Sequence, residues 1–178
     1  MIRGDRRQRI FEMANAFGNI PLVGVETGTW RGDTTCAMSK VFGEVFTIDI
    51  SMKCFKEACI RFSGNHNVYC LFGCSGEILR HLCLQIEEPA FWLLDAHYPF
   101  NWFPEDTEHL PDYSPCPLFD ELKHIDNRPF RDIVAVDDAS GFGKHGYWKC
   151  VTQESILGSI HSEQSKIMYD TFVLETVI

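Results

Sequence analysis

Strand-length apolar runs alternate with helix-length amphipathic ones along this chain, and no other feature restricts its fold so strongly. The runs are LVGVET, EVFTIDI, NVYCLF, PAFWLLDAHY and DIVAVDDAS. They are nearly continuous in apolar residues rather than alternating with polar ones, so each expects cover on both faces. That is the pattern of a parallel sheet with helices on either side. The segments between them carry helical spacing. Ile10, Phe11, Ala14 and Phe17 mark a helix over about residues 5–17, and a second runs from Asp33 to Phe42. Ser51 caps a third through Phe62, with Met52, Phe55, Cys59 and Phe62 as its apolar face. Ile78, Leu79, Leu82 and Ile86 give a fourth, and Pro117 opens a fifth carrying Leu118, Leu122 and Ile125. A last helix holds Ile156, Leu157 and Ile160, and the tail KIMYDTFVLETV reads as two strands turning near Asp170.

Four of the runs end in acids: Glu26, Asp49, Asp95 and the pair Asp137–Asp138. In parallel α/β sheets the carboxyl ends of the strands form the ligand rim. Carboxylates gathered on one rim repel unless a cation or hydrogen-bond donors occupy the space between them. After Glu26 come Gly28, Thr29 and Gly32, a turn whose small residues let backbone approach something closely. His97 lies two residues past Asp95 and projects to the same side if the strand continues. Beside a carboxylate it suits a general base or an extra ligand, against the plainer reading of a structural or solvated histidine. His145 competes for the same role. A loop over about 98–115 holds four prolines and Tyr98, Phe100, Trp102, Phe103 and Tyr113, which either wall an acceptor pocket or pack on one another as a lid.

Composition narrows the functional classes. The 178 residues suffice for one domain, taken as 1–178, and 45% hydrophobic with 23% charged residues describes a globular chain. A net charge of −9 argues against a sequence-independent grip on phosphate backbones, so no nucleic-acid partner is expected. The basic run Arg3–Arg9 reads as a solvated helix face. No run reaches the ~20 apolar residues of a membrane span, and the first residues lack a signal-peptide core. Eight scattered cysteines without CxxC spacing are expected as free, mostly buried thiols of a cytoplasmic protein.

The ordered segments VETGTWRGDTT, VFTIDIS, NVYCLFGCSGEIL, FWLLDAHY, CPLFDELKHI and IVAVDDAS resemble class I S-adenosylmethionine-dependent methyltransferases over about residues 20–178. Within that superfamily the chain is most similar to small metal-dependent O-methyltransferases of the catechol and macrocin type. The resemblance implies a Rossmann-like, doubly wound α/β sheet of seven strands, mostly parallel, closed by a C-terminal antiparallel hairpin. It implies S-adenosylmethionine held by Glu26, Thr27, Gly28, Thr29, Gly32, Thr34, Asp49, Ile50, Ser51, Gly73, Cys74, Ser75 and Asp95. Asp49 would accept both ribose hydroxyls, and Cys74 and Ser75 would lie beside the adenine. Asp95, Asp137 and Asp138 match a three-carboxyl set for Mg2+ or another divalent metal, with Asp95 and His97 as the catalytic pair acting on an oxygen of a small-molecule acceptor. A homo-oligomer is left open. Two positions depart from the pattern: Trp30 stands where a third glycine is usual, and Cys74 where the related families often carry Asp. They favour, as the second reading, a cofactor-binding module without turnover. A nicotinamide-dependent oxidoreductase is the third reading; it lacks the three-glycine fingerprint and leaves the far acids unexplained.

Overall fold

Short β-branched and aromatic runs need neighbours on both edges and both faces, and the chain provides them in a single sheet. The computed structural model describes residues 5–97, 116–144 and 146–178. Its strands are β1 (Val23–Thr27), β2 (Glu44–Asp49), β3 (Val68–Phe72), β4 (Ala90–Leu94), β5 (Ile133–Val136), β6 (Ser162–Met168) and β7 (Thr171–Thr176). Its α-helices are α1 (Arg6–Ala14), α2 (Asp33–Met38), α3 (Met52–Arg61), α4 (Ser75–Gln85), α5 (Leu118–Asp126) and α6 (Gln153–Leu157). The strand order is β3-β2-β1-β4-β5-β7-β6. The first five strands pair in parallel, while β7 runs antiparallel to both β5 and β6. This is the expected seven-stranded α/β sheet with its closing hairpin. The chain winds outward from β1 to β3, then returns to place β4 beside β1, so the switch point falls between β1 and β4.

Alternation along each strand sorts the core into two layers. Val23, Val25, Trp92, Leu94 and Val134 meet Leu79 and Leu82 of α4 and Leu118, Leu122 and Ile125 of α5. Val45, Phe91, Leu93, Ala135 and Val173 meet Ile10 and Met13 of α1 and Met38 of α2. Among the described residues no helix is long and apolar enough to cross a membrane.

Several details differ from the sequence expectations. Helices α1 and α2 stop short of Phe17 and Phe42. In α3 the row facing the sheet is Cys54, Ala58 and Phe62, whereas Met52 and Cys59 are exposed. The small pair 54 and 58, one turn apart, lets the helix sit close to the strands. The larger Phe55 turns outward to pack on Phe72, ring centres 5.6 Å apart. Leu157 of α6 is exposed while Ile156 and Ile160 are buried. All eight cysteines are free thiols, but only Cys54 is buried. The proline-rich loop of about 98–115 with its five aromatics, and His145, lie outside the described residues.

The edge of the sheet opposite the rim is tied by one cation that periodicity does not flag. Arg128, buried just beyond α5, donates to Asp132 Oδ2 at 2.7 Å and to the carbonyls of Cys83, Ile86 and Glu88 at 2.9, 2.8 and 2.7 Å. Its guanidinium lies 5.0 Å from the Trp92 ring centre and 4.9 Å from that of Phe130. Asp132 in turn accepts from the Ala90 N–H at 2.8 Å. The end of α4, the start of β4 and the end of α5 thus share one set of donors. Arg128→Ala would strand a buried carboxylate and three carbonyls, and should destabilise the fold by about 3–5 kcal/mol in urea unfolding. Arg128→Lys should not restore it, because an ammonium lacks the planar fork. A loss below ~1 kcal/mol, the scale of a surface pair, would refute the lock.

Candidate functional site

The rim is built outward from Glu26, on the α2 side of β1. Parallel register places it beside Thr47 of β2. Thr47 Oγ1 and Thr35 Oγ1 donate to Glu26 Oε2 at 2.7 and 2.5 Å, and Thr29 Oγ1 lies 2.6 Å from Thr47 Oγ1. Glu26 is 1% exposed. Burial pushes its carboxyl up to about 8, and the two hydroxyls offset only part of that. Glu26 is therefore a neutral acid at pH 7 that binds β1, β2, α2 and the first turn into one unit.

That unit shapes the turn. Gly28 has φ +86°, and a Cβ there would stand 2.6 Å from the Asp95 carbonyl oxygen. The close approach anticipated from the glycine is thus made to the backbone just past β4. Trp30 keeps the left-handed conformation that a glycine would take, with φ +44°. This costs an L-residue roughly 1–2 kcal/mol. Its N–H donates to Asp49 Oδ2 at 2.7 Å, and the Ser51 N–H donates to Oδ1 at 2.8 Å. The departure from the three-glycine pattern is accommodated because Asp49 holds the Trp30 backbone. The Trp30 indole is 45% exposed, with the Arg31 guanidinium 4.6 Å from its ring centre.

The remaining expected cofactor residues divide by where they face. Ile50, Gly73 and Cys74 are half-buried at the ends of β2 and β3. The Ser51 hydroxyl caps α3 by accepting from the Cys54 N–H. Thr34 accepts from Arg6, away from the turn's mouth. Gly32 caps α2 at φ +72° and lies against the Phe62 ring. The Thr27 and Ser75 side chains are buried, and both lower the pKa of the Glu121 carboxyl of α5 against the larger rise that burial causes. Sequence reasoning missed Glu121. Its signal was an acid at a core position, spaced with Leu118, Leu122 and Ile125.

Across the switch point, β4 ends at Leu94 and does not continue to Tyr98 as the period-two argument required. The chain turns instead, and the His97 N–H donates to the Asp95 carbonyl at 3.1 Å. The turn still delivers the ring: His97 Nδ1 lies 3.4 Å from Asp95 Oδ1 and Nε2 lies 3.7 Å from Asp138 Oδ2. The ring also packs on Trp148, centres 5.4 Å apart. Hydrogen bonding to Asp95 raises its pKa above 6.5 against the opposing effect of burial, with the charges of Asp95, Asp138 and Asp137 adding to the rise. One ligand atom each from Asp95, His97 and Asp138 lies within 4.8 Å of the others. The converging group is thus two acids and an imidazole. Asp137, expected as the third acid, is not part of it: its Oδ1 accepts from Thr171 Oγ1 at 2.8 Å, and burial pushes its carboxyl up to about 6. Asp138 separates from Asp137 by adopting φ +57°.

No protein-family model matches the chain, and no curated protein matches its sequence. Solved structures do match. An rRNA methylase from Streptococcus thermophilus aligns over 98% of this chain and 97% of its own, at 12% identity and a TM-score of 0.55. The O-methyltransferase TomG from Streptomyces achromogenes, involved in tomaymycin synthesis and solved with S-adenosylmethionine, aligns over 98% and 90%, at 16% identity and 0.58. The N-methyltransferase NodS from Bradyrhizobium japonicum aligns over 96% and 93%, at 10% identity and 0.57. Similarity at these identities establishes a shared fold.

The state of Glu26 can be read from stability. Between 4.5, its ordinary value, and about 8, the folded chain holds a proton that the unfolded chain has released. Its contribution is therefore complete below that window and is lost as pH rises through it. Glu26→Gln cannot titrate, so the stability of wild type relative to the variant should decline from pH 5 to pH 8 in denaturant unfolding. An equal difference at both pH values would mean that Glu26 is ionised in the fold.

Proposed function

We propose that this chain binds S-adenosylmethionine at the switch point and transfers its methyl group to an oxygen of a small molecule, with a divalent cation at the far rim. The carrying observation is the pairing of two built halves. Asp49 is fixed by two backbone N–H groups at the end of β2, and Asp95, His97 and Asp138 converge past β4 and β5. The shared fold supports the first half, since TomG was solved with that cofactor. It does not choose the acceptor, because the same fold carries proteins named for rRNA, N- and O-methylation. The net charge of −9 favours a small acceptor over RNA.

The residues fit the cofactor's chemistry. Asp49 presents an oriented carboxylate to the two ribose hydroxyls, and Ile50 and Cys74 flank the base. The turn from Gly28 to Trp30 lies against the amino-acid portion. The cofactor supplies a methyl group on a cationic sulfonium, which a rim of carboxylates favours. Where no cation occupies its ring nitrogen, His97, oriented by Asp95, receives the proton as the acceptor hydroxyl attacks; where one does, His97 is a ligand instead. The donor set also fits a divalent cation, which would hold and polarise acceptor oxygens. Because the set includes an imidazole nitrogen, Mn2+ or Zn2+ suits it better than Mg2+, which prefers oxygen alone.

Calorimetry with S-adenosylhomocysteine tests the first half. Asp49→Ala should weaken binding ten-fold or more, as expected for losing charge-assisted hydrogen bonds of ~1.5–3 kcal/mol each. Melting should be followed alongside, since the same oxygens hold Trp30 and Ser51. Unchanged affinity would place the nucleoside elsewhere.

Methyl-transfer rates test the second half. His97→Ala should lower the rate by roughly 10²–10⁴ with cofactor affinity intact, and the wild-type rate should rise with pH through a value above 6.5. Activity that survives chelation assigns His97 as base alone and removes the cation. Activity lost on chelation and restored by Mn2+ assigns His97 as a ligand.

A further inference from the structure

The chain that leaves β5 brings more than a carboxylate to His97. Asp138 supplies the carboxylate. Further along, Trp148 supplies a ring whose centre lies 5.4 Å from that of the imidazole, the two planes inclined at 58°. The segment between them is anchored at both ends. At its start, the Ala139 N–H donates to the Asp170 carbonyl at 2.8 Å, and the Ser140 N–H and hydroxyl donate to the Asp170 carboxylate at 2.7 and 2.9 Å. At its end, the Trp148 carbonyl accepts from the Gly143 N–H at 2.8 Å and from the Val151 N–H at 3.0 Å. The Phe142 ring packs on Trp148, centres 5.5 Å apart, and a Cβ at Gly141 would stand 3.1 Å from Trp148 Cδ1.

Core packing explains only part of this placement. Trp148 is 7% exposed and joins the layer of Leu94, Val136 and Phe172, yet the same ring also meets His97 beyond the ends of the strands. The imidazole needs such a neighbour. It stands past β4 on a turn, and the χ2 torsion of histidine is broad and roughly two-fold, which leaves the ring plane open. Asp95 and Asp138 lie at 3.4 and 3.7 Å, lengths at which direction is only loosely constrained. A tilted contact between rings with centres roughly 4.5–7 Å apart is a favoured geometry and does constrain the plane. Polar groups of a site reach working precision where packing locks their rotamers.

We propose that Trp148 is a positioning residue, setting the plane of the His97 ring so that its two nitrogens meet Asp95 and Asp138 at once. This rests on the reading of His97 as base or cation ligand. In that role Trp148 acts through His97. An aromatic ring at 148 is what the imidazole requires; apolar bulk that merely fills the core does not suffice.

The first test is NMR on the protein without ligands, following nuclear Overhauser contacts from the His97 ring protons to the Trp148 ring and to the β-protons of Asp95 and Asp138. Wild type should show all of them. Trp148→Met refills the core without a ring and should lose the contacts to Asp95 and Asp138, while Trp148→Phe keeps them. The second test titrates Mn2+ and, separately, S-adenosylhomocysteine by calorimetry, with thermal melts alongside. Trp148→Met should weaken Mn2+ binding about five-fold or more and leave S-adenosylhomocysteine within about two-fold, and Trp148→Phe should restore Mn2+. A wild type that takes no Mn2+ removes the cation from the proposed function, and the Overhauser contacts then decide on Trp148 by themselves. Should Trp148→Met fail to fold, Phe142→Leu, at a half-buried position behind Trp148, takes its place and should weaken the same contacts. Three results would overturn the assignment: no His97–Trp148 contact in wild type, contacts of wild-type strength in the variant, or Mn2+ affinity lost only in step with S-adenosylhomocysteine affinity and melting temperature.

Discussion

A carboxyl buried at the end of a parallel strand must be neutral, caged or both, and Glu26 is both. Its cage consists of Thr35 and Thr47, with Thr29 attached through Thr47. These hydroxyls come from α2, β2 and the first turn, so satisfying one acid positions three elements at once. The turn could not otherwise bring Gly28 against the Asp95 carbonyl or carry Trp30 in a left-handed conformation. The strain at Trp30 is held by Asp49, whose other oxygen fixes the start of α3 through the Ser51 N–H. The rim is therefore a set of mutual constraints rather than a row of independent side chains.

The same rim is short of positive charge. Glu26, Asp137 and Glu121 take up protons more readily than ordinary carboxyls because burial disfavours their charged forms. Asp95 and Asp138 share His97, whose pKa rises in response. Protons, hydroxyls and one imidazole thus do what a cation would do. A site balanced in this way attracts positive ligands, whether a sulfonium or a metal ion, and adjusts its protonation when one arrives. The two buried glutamates lie on opposite faces of the sheet, Glu26 on β1 beneath α2 and Glu121 on α5 itself.

Stability and chemistry are separated along the strands. At the amino ends, Arg128 completes its donors against Asp132 and three carbonyls, and the fold is locked there without reference to a ligand. At the carboxyl ends, acids carry raised pKa values and a bulky residue holds a strained backbone. Backbone strain of this kind persists where the surroundings over-determine it, and functional sites are where it collects.

The sequence by itself determined the sheet. Continuous apolar runs separated by helical periodicity allow little besides a parallel α/β arrangement, and the rim acids were legible because each ended such a run. It also indicated that Gly28 sits at a close approach, since few other residues accept φ near +86°. Only the tertiary structure decided which groups meet. Asp137 and Asp138 are adjacent in sequence, but a left-handed Asp138 sends one toward Thr171 and the other toward His97. Thr27 and Ser75 look like rim residues, but the side chains of both are buried. His97 reaches Asp95 through a turn rather than along a strand. Periodicity reports which face a residue takes within its own element. It cannot report what another element, placed by packing, brings to that face.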